Sequence, residues 1–283
     1  MLKQRVVTAV VLLAILLPAL AAASPVPFIA IALVFICAAA WEWGRLNGLG
    51  QGGATLLGAI CLLLCTASWQ LGWLVRPLPL IWLAGGGCWV LGGAWLLRQG
   101  VAGWARIPRT VRIAGGGLAL WLAWLAVAQA RMAGVNFLLS VLALVWVADI
   151  SAYFAGRAWG LRFTSARLAP GISPGKSWEG AWGGMLGVVI LAFAWIIADK
   201  AFKMQPESFY TRLAEHHGWP MLLVATVFMA AMSVVGDLVE SLVKRSAGVK
   251  DSSGLLPGHG GVLDRVDALL PTLPLALALA SLA

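Results

Sequence analysis

Nine stretches of this chain each run for about 20 residues with almost no charge, near 6–23, 27–43, 54–74, 79–97, 114–130, 134–155, 180–198, 219–243 and 264–282. A helix needs roughly 20 apolar residues to cross about 30 Å of hydrocarbon. Lipid offers no partner to a free N–H or C=O, so a chain that spans a bilayer with such segments does so as α-helices. The expected fold class is therefore all-α: a polytopic integral membrane protein of about nine transmembrane helices. Composition agrees, with 61% hydrophobic residues, 11% charged and a mean hydropathy of +0.91. A soluble domain of 283 residues has no surface suited to that balance.

The placement of positive charge orients these spans. With nine crossings and a cytoplasmic N-terminus, the outer segments hold Arg76, Arg131, Lys200, Lys203 and Arg212, and the inner ones the other 15 of 20 Lys and Arg. That is the bias of the positive-inside rule. The net charge of +9 is thus mainly topology, and no motif points to nucleic acid. Lys3 and Arg5 before an apolar run ending in LAAASP also resemble a signal peptide. The topology needs that segment as a retained first span. Spans without organelle targeting point to a bacterial inner membrane.

The two halves differ in chemistry. Residues 1–140 contain one acidic residue, Glu42, and the other ten lie between 149 and 267. Residues 1–133 read as scaffold helices. Residues 134–283 read as the catalytic region, with cytoplasmic loops 156–179 and 245–263. Segment 98–112 reads as a basic inside loop that sets topology. Cys61 and Cys65, one helical turn apart, read as buried bystanders, and His216-His217 as solvated residues of an outer loop. Gly85–Gly87 and Gly115–Gly117 read as places where helices approach closely. The internal symmetry common in ion-coupled transporters, the alternative reading, is not evident.

Polar chemistry collects in two inner loops. The stretch from Lys244 to Asp267 holds seven charged residues and His259. Just before it, Asp237 lies within the eighth span, where an acid costs about 2.5–3.5 kcal/mol on insertion scales. Helical spacing puts Asp237, Glu240, Ser241 and Lys244 on one stripe. Asp264 and Asp267 open the ninth span behind Gly260-Gly261. Acids converging on a basic, glycine-rich loop suit a hard divalent cation holding a polyphosphate. Lys176, in SPGKSWEG, sits in a turn that presents it to an anion. Asp149, in VADISAYFAGR, belongs to the edge of this site or pairs with Arg157.

The run Ser241–Asp267, SLVKRSAGVKDSSGLLPGHGGVLDRVD, together with DISAYFAGRAWG and LAPGISPGKSWEG, resembles the phosphatidate cytidylyltransferases, or CDP-diacylglycerol synthases. Two departures are visible: LRFTSAR (161–167) is longer than usual, and DIS differs after Asp149. The resemblance implies an Mg²⁺-dependent nucleotidyltransferase that joins phosphatidic acid to CTP, and a homodimer. It places the paired metal-binding aspartates on Asp237 and Asp264, with a second cation such as K⁺ sharing the site. It puts Ser241, Lys244, Arg245 and Lys250 along the polar cavity. The expected catalytic set is Asp237, Asp264, Lys244, Arg245, Lys250 and His259. The expected substrate-binding set is Ser241, Lys176, Asp251, Gly260, Gly261, Arg265 and Asp267.

Overall fold

The computed structural model describes residues 2–282, with side chains from Gln4 onward, so Lys3 lies outside the described side chains. Ten helices follow in chain order: α1 (Leu2–Ala21), α2 (Val26–Leu46), α3 (Gln51–Gln70), α4 (Pro79–Arg106), α5 (Arg109–Ala133), α6 (Val135–Trp159), α7 (Trp178–Phe202), α8 (Phe209–Ser246), α9 (Leu263–Val266) and α10 (Leu269–Ser281). Among the described residues, α1 to α8 are long and apolar enough to cross a membrane. The chain is a multi-pass, helical membrane protein.

The ninth segment differs from the expected span 264–282. It breaks after α9, and α10 has only 13 residues, about 20 Å at 1.5 Å per residue. Leu270 through Ala278 are all buried, and α10 packs against α4, α5, α6 and α8. It is a central post of the bundle, screened from lipid by its neighbours. Apolar composition alone cannot separate these two roles, because lipid tails and helix faces are equally apolar.

Two helices are interrupted. In α4, Gly100 adopts φ 64°, ψ −169°, so residues 101–106 turn away from the long axis. In α8, Gly218 adopts φ 78°, ψ 173°, with Pro220 behind it. Residues 98–112 are therefore mostly helical rather than a loop. Trp104 in this segment meets Trp43 edge-on at 5.7 Å, and the Trp43 indole N–H donates to the Arg112 carbonyl at 3.0 Å. Likewise His216-His217 lie in the short helical segment before Gly218, not in a loop. Cys61 and Cys65 are buried free thiols.

Close helix contacts depend on absent side chains. A methyl group at Gly116 would enter the Trp43 ring, which explains one of the glycine runs. A methyl at Gly236 of α8 would lie 2.5 Å from the Asp267 carbonyl oxygen and 2.9 Å from Pro271. That contact seats α8 directly on the turn between α9 and α10.

The inner loops are shorter than expected, since helices take 156–159 and 178–179 from one and 245–246 and 263 from the other. The first loop is not wholly irregular: β1 (Arg167–Ala169) pairs antiparallel with β2 (Ser173–Ser177). The long 161–167 segment is tied to α7. Glu179 Oε1 accepts from Phe163 N (3.0 Å), Thr164 N (2.8 Å) and Thr164 Oγ1 (2.9 Å).

Candidate active site

From Trp219 the second part of α8 runs without interruption to Ser246, and Asp237 lies 18 residues along it, about 27 Å. Asp237 therefore stands nearer the C-terminal end of this helix than its centre, with Lys244 and Arg245 beyond it. An acid near the end of a span costs less than one at its centre. The remaining charge is compensated locally: Asp237 Oδ2 pairs with Lys176 Nζ at 2.5 Å, and Oδ1 accepts from Ser241 Oγ at 3.2 Å. Lys176 comes from β2, so the ion pair fastens the first inner loop to α8.

Around this pair lies a cavity of about 420 Å³, lined by Asp149, Tyr153, Arg157, Lys176, Ser177 and Asp237. Arg157 donates to Tyr153 Oη at 3.1 Å, so the Arg157 guanidinium is engaged there while Asp149 faces the cavity. A second cavity of about 680 Å³ adjoins it. Its walls include Leu97, Trp178, Met185, Val235 and Leu238, and Leu168, Ala181 and Val234 line both. A polar chamber thus opens beside an apolar one.

The second polar cluster lies two turns further along α8. Lys244 Nζ reaches Asp264 Oδ1 at 2.5 Å and also pairs with Glu240. The other oxygen of Asp264 accepts from Ser252 N (2.9 Å), Ser252 Oγ (2.8 Å) and Gly261 N (2.7 Å). Both oxygens of Asp264 are thereby engaged within the protein. Asp267 caps its own turn through Ala268 N (2.7 Å), with its backbone against Gly236.

The other expected residues occupy the loop around these clusters. Arg245 turns back to the Ile172 and Val249 carbonyls at 3.5 and 3.4 Å. Arg265 donates to the His259 carbonyl at 3.2 and 2.6 Å, and so acts on the loop's shape. His259 N bonds the Leu256 carbonyl at 2.8 Å. Gly260 adopts φ +81°, a conformation glycine tolerates best. Lys250 and Asp251 are exposed at the loop's edge.

One residue of this site was not legible as such. Glu42, in the supposed scaffold half, is fully buried and accepts from the second inner loop. Its partners are Val262 N (3.0 Å), Leu263 N (2.7 Å), Ser252 Oγ (3.2 Å) and the Ser253 hydroxyl. The one sequence signal was its isolation, a single acid in the first 140 residues. From α1, Arg5 Nε and Thr8 Oγ1 also reach this loop, at the Gly258 (3.0 Å) and Pro257 (2.8 Å) carbonyls.

Among the described residues no group of three or more His, Cys, Asp or Glu side chains is gathered to hold a metal ion. The donor types nevertheless suit one: Asp237 and Asp264 offer hard oxygens, and each now faces a lysine ammonium. Substrate phosphates and water would have to supply the remaining ligands of an Mg²⁺ at such a position.

The cytidylyltransferase family model matches residues 3–283. The phosphatidate cytidylyltransferase of Pseudomonas aeruginosa is 37% identical over 287 aligned positions, covering 99% of this chain and 97% of that protein. That of Haemophilus influenzae is 49% identical over 141, which is 50% of this chain and 44% of the relative. That of Thermotoga maritima is 44% identical over 139, covering 49% and 46%.

Proposed function

The chain belongs to the cytidylyltransferase family, and on that premise we propose that it transfers CMP from CTP to phosphatidic acid, giving CDP-diacylglycerol and pyrophosphate. The observation that carries this reading is the pairing of chambers. A cavity with Lys176, Arg157 and two carboxylates adjoins an apolar cavity, both lined by α8 between Ala231 and Leu238. A phospholipid is built the same way, with an anionic headgroup on apolar chains.

In the reaction an oxygen of the lipid phosphate attacks the α-phosphorus of CTP. The bond from that phosphorus to the bridging oxygen breaks, and pyrophosphate leaves with the electron pair. The nucleophile is already ionised at neutral pH, so the site needs no strong base. It needs to bring two anions together and hold them in line. Lys176 and Arg157 offset phosphate charge within the polar chamber. Lys244 and Arg245 do so from the neighbouring cluster two turns along α8, with Lys250 on the exposed loop. Asp237 and Asp264 would hold Mg²⁺, which supplies charge neutralisation on the triphosphate. The apolar chamber takes an acyl chain and keeps the headgroup at the depth of Asp237.

The same reading includes the Mg²⁺ requirement, a cytoplasmic N-terminus, a homodimer and residence in a bacterial inner membrane. The test is pyrophosphate release by purified protein in mixed detergent–phosphatidate micelles. Release that requires CTP, phosphatidate and Mg²⁺ together is the expected result. Equal release with ATP, or release without the lipid, would overturn the assignment, and release unaffected by EDTA would remove the metal from it. Particle mass in detergent tests the dimer.

A further inference from the structure

We infer that Glu42 is a positioning residue for this transfer reaction, a buried carboxylate that holds the loop carrying Asp264 in register with α8. The inference rests on the reading of the reaction given above. It begins from an energetic anomaly. A fully buried carboxylate is costly unless hydrogen bonds replace its lost hydration. The replacement here comes entirely from one loop more than 200 residues downstream: Ser252 and Ser253 hydroxyls, and the backbone N–H groups of Val262 and Leu263. No basic side chain pairs with it among the described residues. Glu42 and the loop therefore satisfy each other, and neither is complete alone.

The contacts bear directly on the reacting region. Leu263, whose N–H is held at 2.7 Å, immediately precedes Asp264. Ser252 Oγ lies within hydrogen-bond distance of both Glu42 Oε2 (3.2 Å) and Asp264 Oδ2 (2.8 Å). A hydroxyl carries one proton, so Ser252 Oγ serves one acid at a time, while its backbone N–H stays on Asp264 Oδ2 at 2.9 Å; Ser252 is thus the link between the two acids. Gly261 lies between them: a methyl there would overlap both Ser252 Oγ and Glu42 Oε1. Asp264 in turn holds Lys244. Any drift of the loop away from Glu42 thus displaces Asp264 and loosens the ammonium of Lys244. Misplacement of about 1 Å can cost a reaction on the order of 100-fold.

The test compares wild type, Glu42→Gln and Glu42→Asp as full-length protein in phosphatidate micelles. It reads kcat and KM for CTP and phosphatidate, and amide hydrogen exchange over residues 252–264. Glu42→Gln should lower kcat on the order of 100-fold, with KM for phosphatidate little changed. The Val262 and Leu263 amides should exchange faster. Glu42→Asp, which keeps the charge, should recover part of the rate. A folded Glu42→Gln variant with wild-type kcat or wild-type exchange overturns the inference. If Glu42→Gln does not fold, Ser253→Ala decides. A drop of about fivefold in kcat with faster loop exchange supports the positioning role. Wild-type values for either overturn it and leave Glu42 purely structural. A wild-type chain that releases no pyrophosphate from CTP instead sinks the reading of the reaction, which is a separate failure.

Discussion

Lys176 Nζ lies 2.5 Å from Asp237 Oδ2, joining a two-stranded turn to the last third of the longest helix. The pair is partly exposed to the polar cavity, at 26% and 30% of the side chains. A substrate phosphate can therefore reach the lysine and a cation the aspartate. Asp237→Asn should lower pyrophosphate release on the order of 100-fold or more and leave the thermal midpoint near wild type. Lys176→Ala should raise KM for a phosphate-bearing substrate. Near-normal rates for Asp237→Asn would remove it from the site.

Lys244 stands between Glu240 and Asp264 and is almost buried. Removing one member of a buried ion pair costs about 3–5 kcal/mol, because the partner charge is left uncompensated. Lys244→Met should therefore unfold at a lower temperature and lose activity. Adding Glu240→Gln should restore part of the stability, since it removes one of the two carboxylate charges left without Lys244, but not the turnover. Detergent-phase thermal unfolding of the single and double variants checks this. Recovery of turnover in the double variant would contradict a substrate role for Lys244.

Gly261→Ala should lose activity through displacement of Asp264. The added methyl overlaps the Ser252 hydroxyl and the Glu42 carboxylate, so the loop must shift. A loss on the order of 100-fold in kcat is expected. Alanine at Gly254, where nothing crowds a methyl, should cost far less. Equal activities would show that the crowding is relieved without consequence.

Val235→Trp should narrow the apolar cavity of about 680 Å³. KM for long-chain phosphatidate should rise several-fold, while KM for CTP stays near wild type. A short-chain phosphatidate should be affected less. An unchanged KM across chain lengths would place the acyl chains elsewhere.

Several of these features could be seen in the residues in order. Long uncharged segments meant helices in lipid. Lys and Arg, counted loop by loop, put the polar stretches on one side. The stripe Asp237–Glu240–Ser241–Lys244 follows from helical spacing, and its members Lys244 and Glu240 do pair. Asp149 was left between two readings, and the structure puts it in the chamber while Arg157 bonds Tyr153.

Composition over 20-residue windows and local spacing suffice for the class of protein, for eight of the nine long apolar segments and for the stretch where charge gathers. Packing makes α10 a core post, brings Lys176 to Asp237 and joins Glu42 to a loop 210 residues away. The reason is physical. In a membrane protein the lipid-facing and helix-facing sides are both apolar, so periodicity does not say which face is buried. A buried acid, moreover, is explained by whichever donors packing brings to it, and those donors need not be near in the chain.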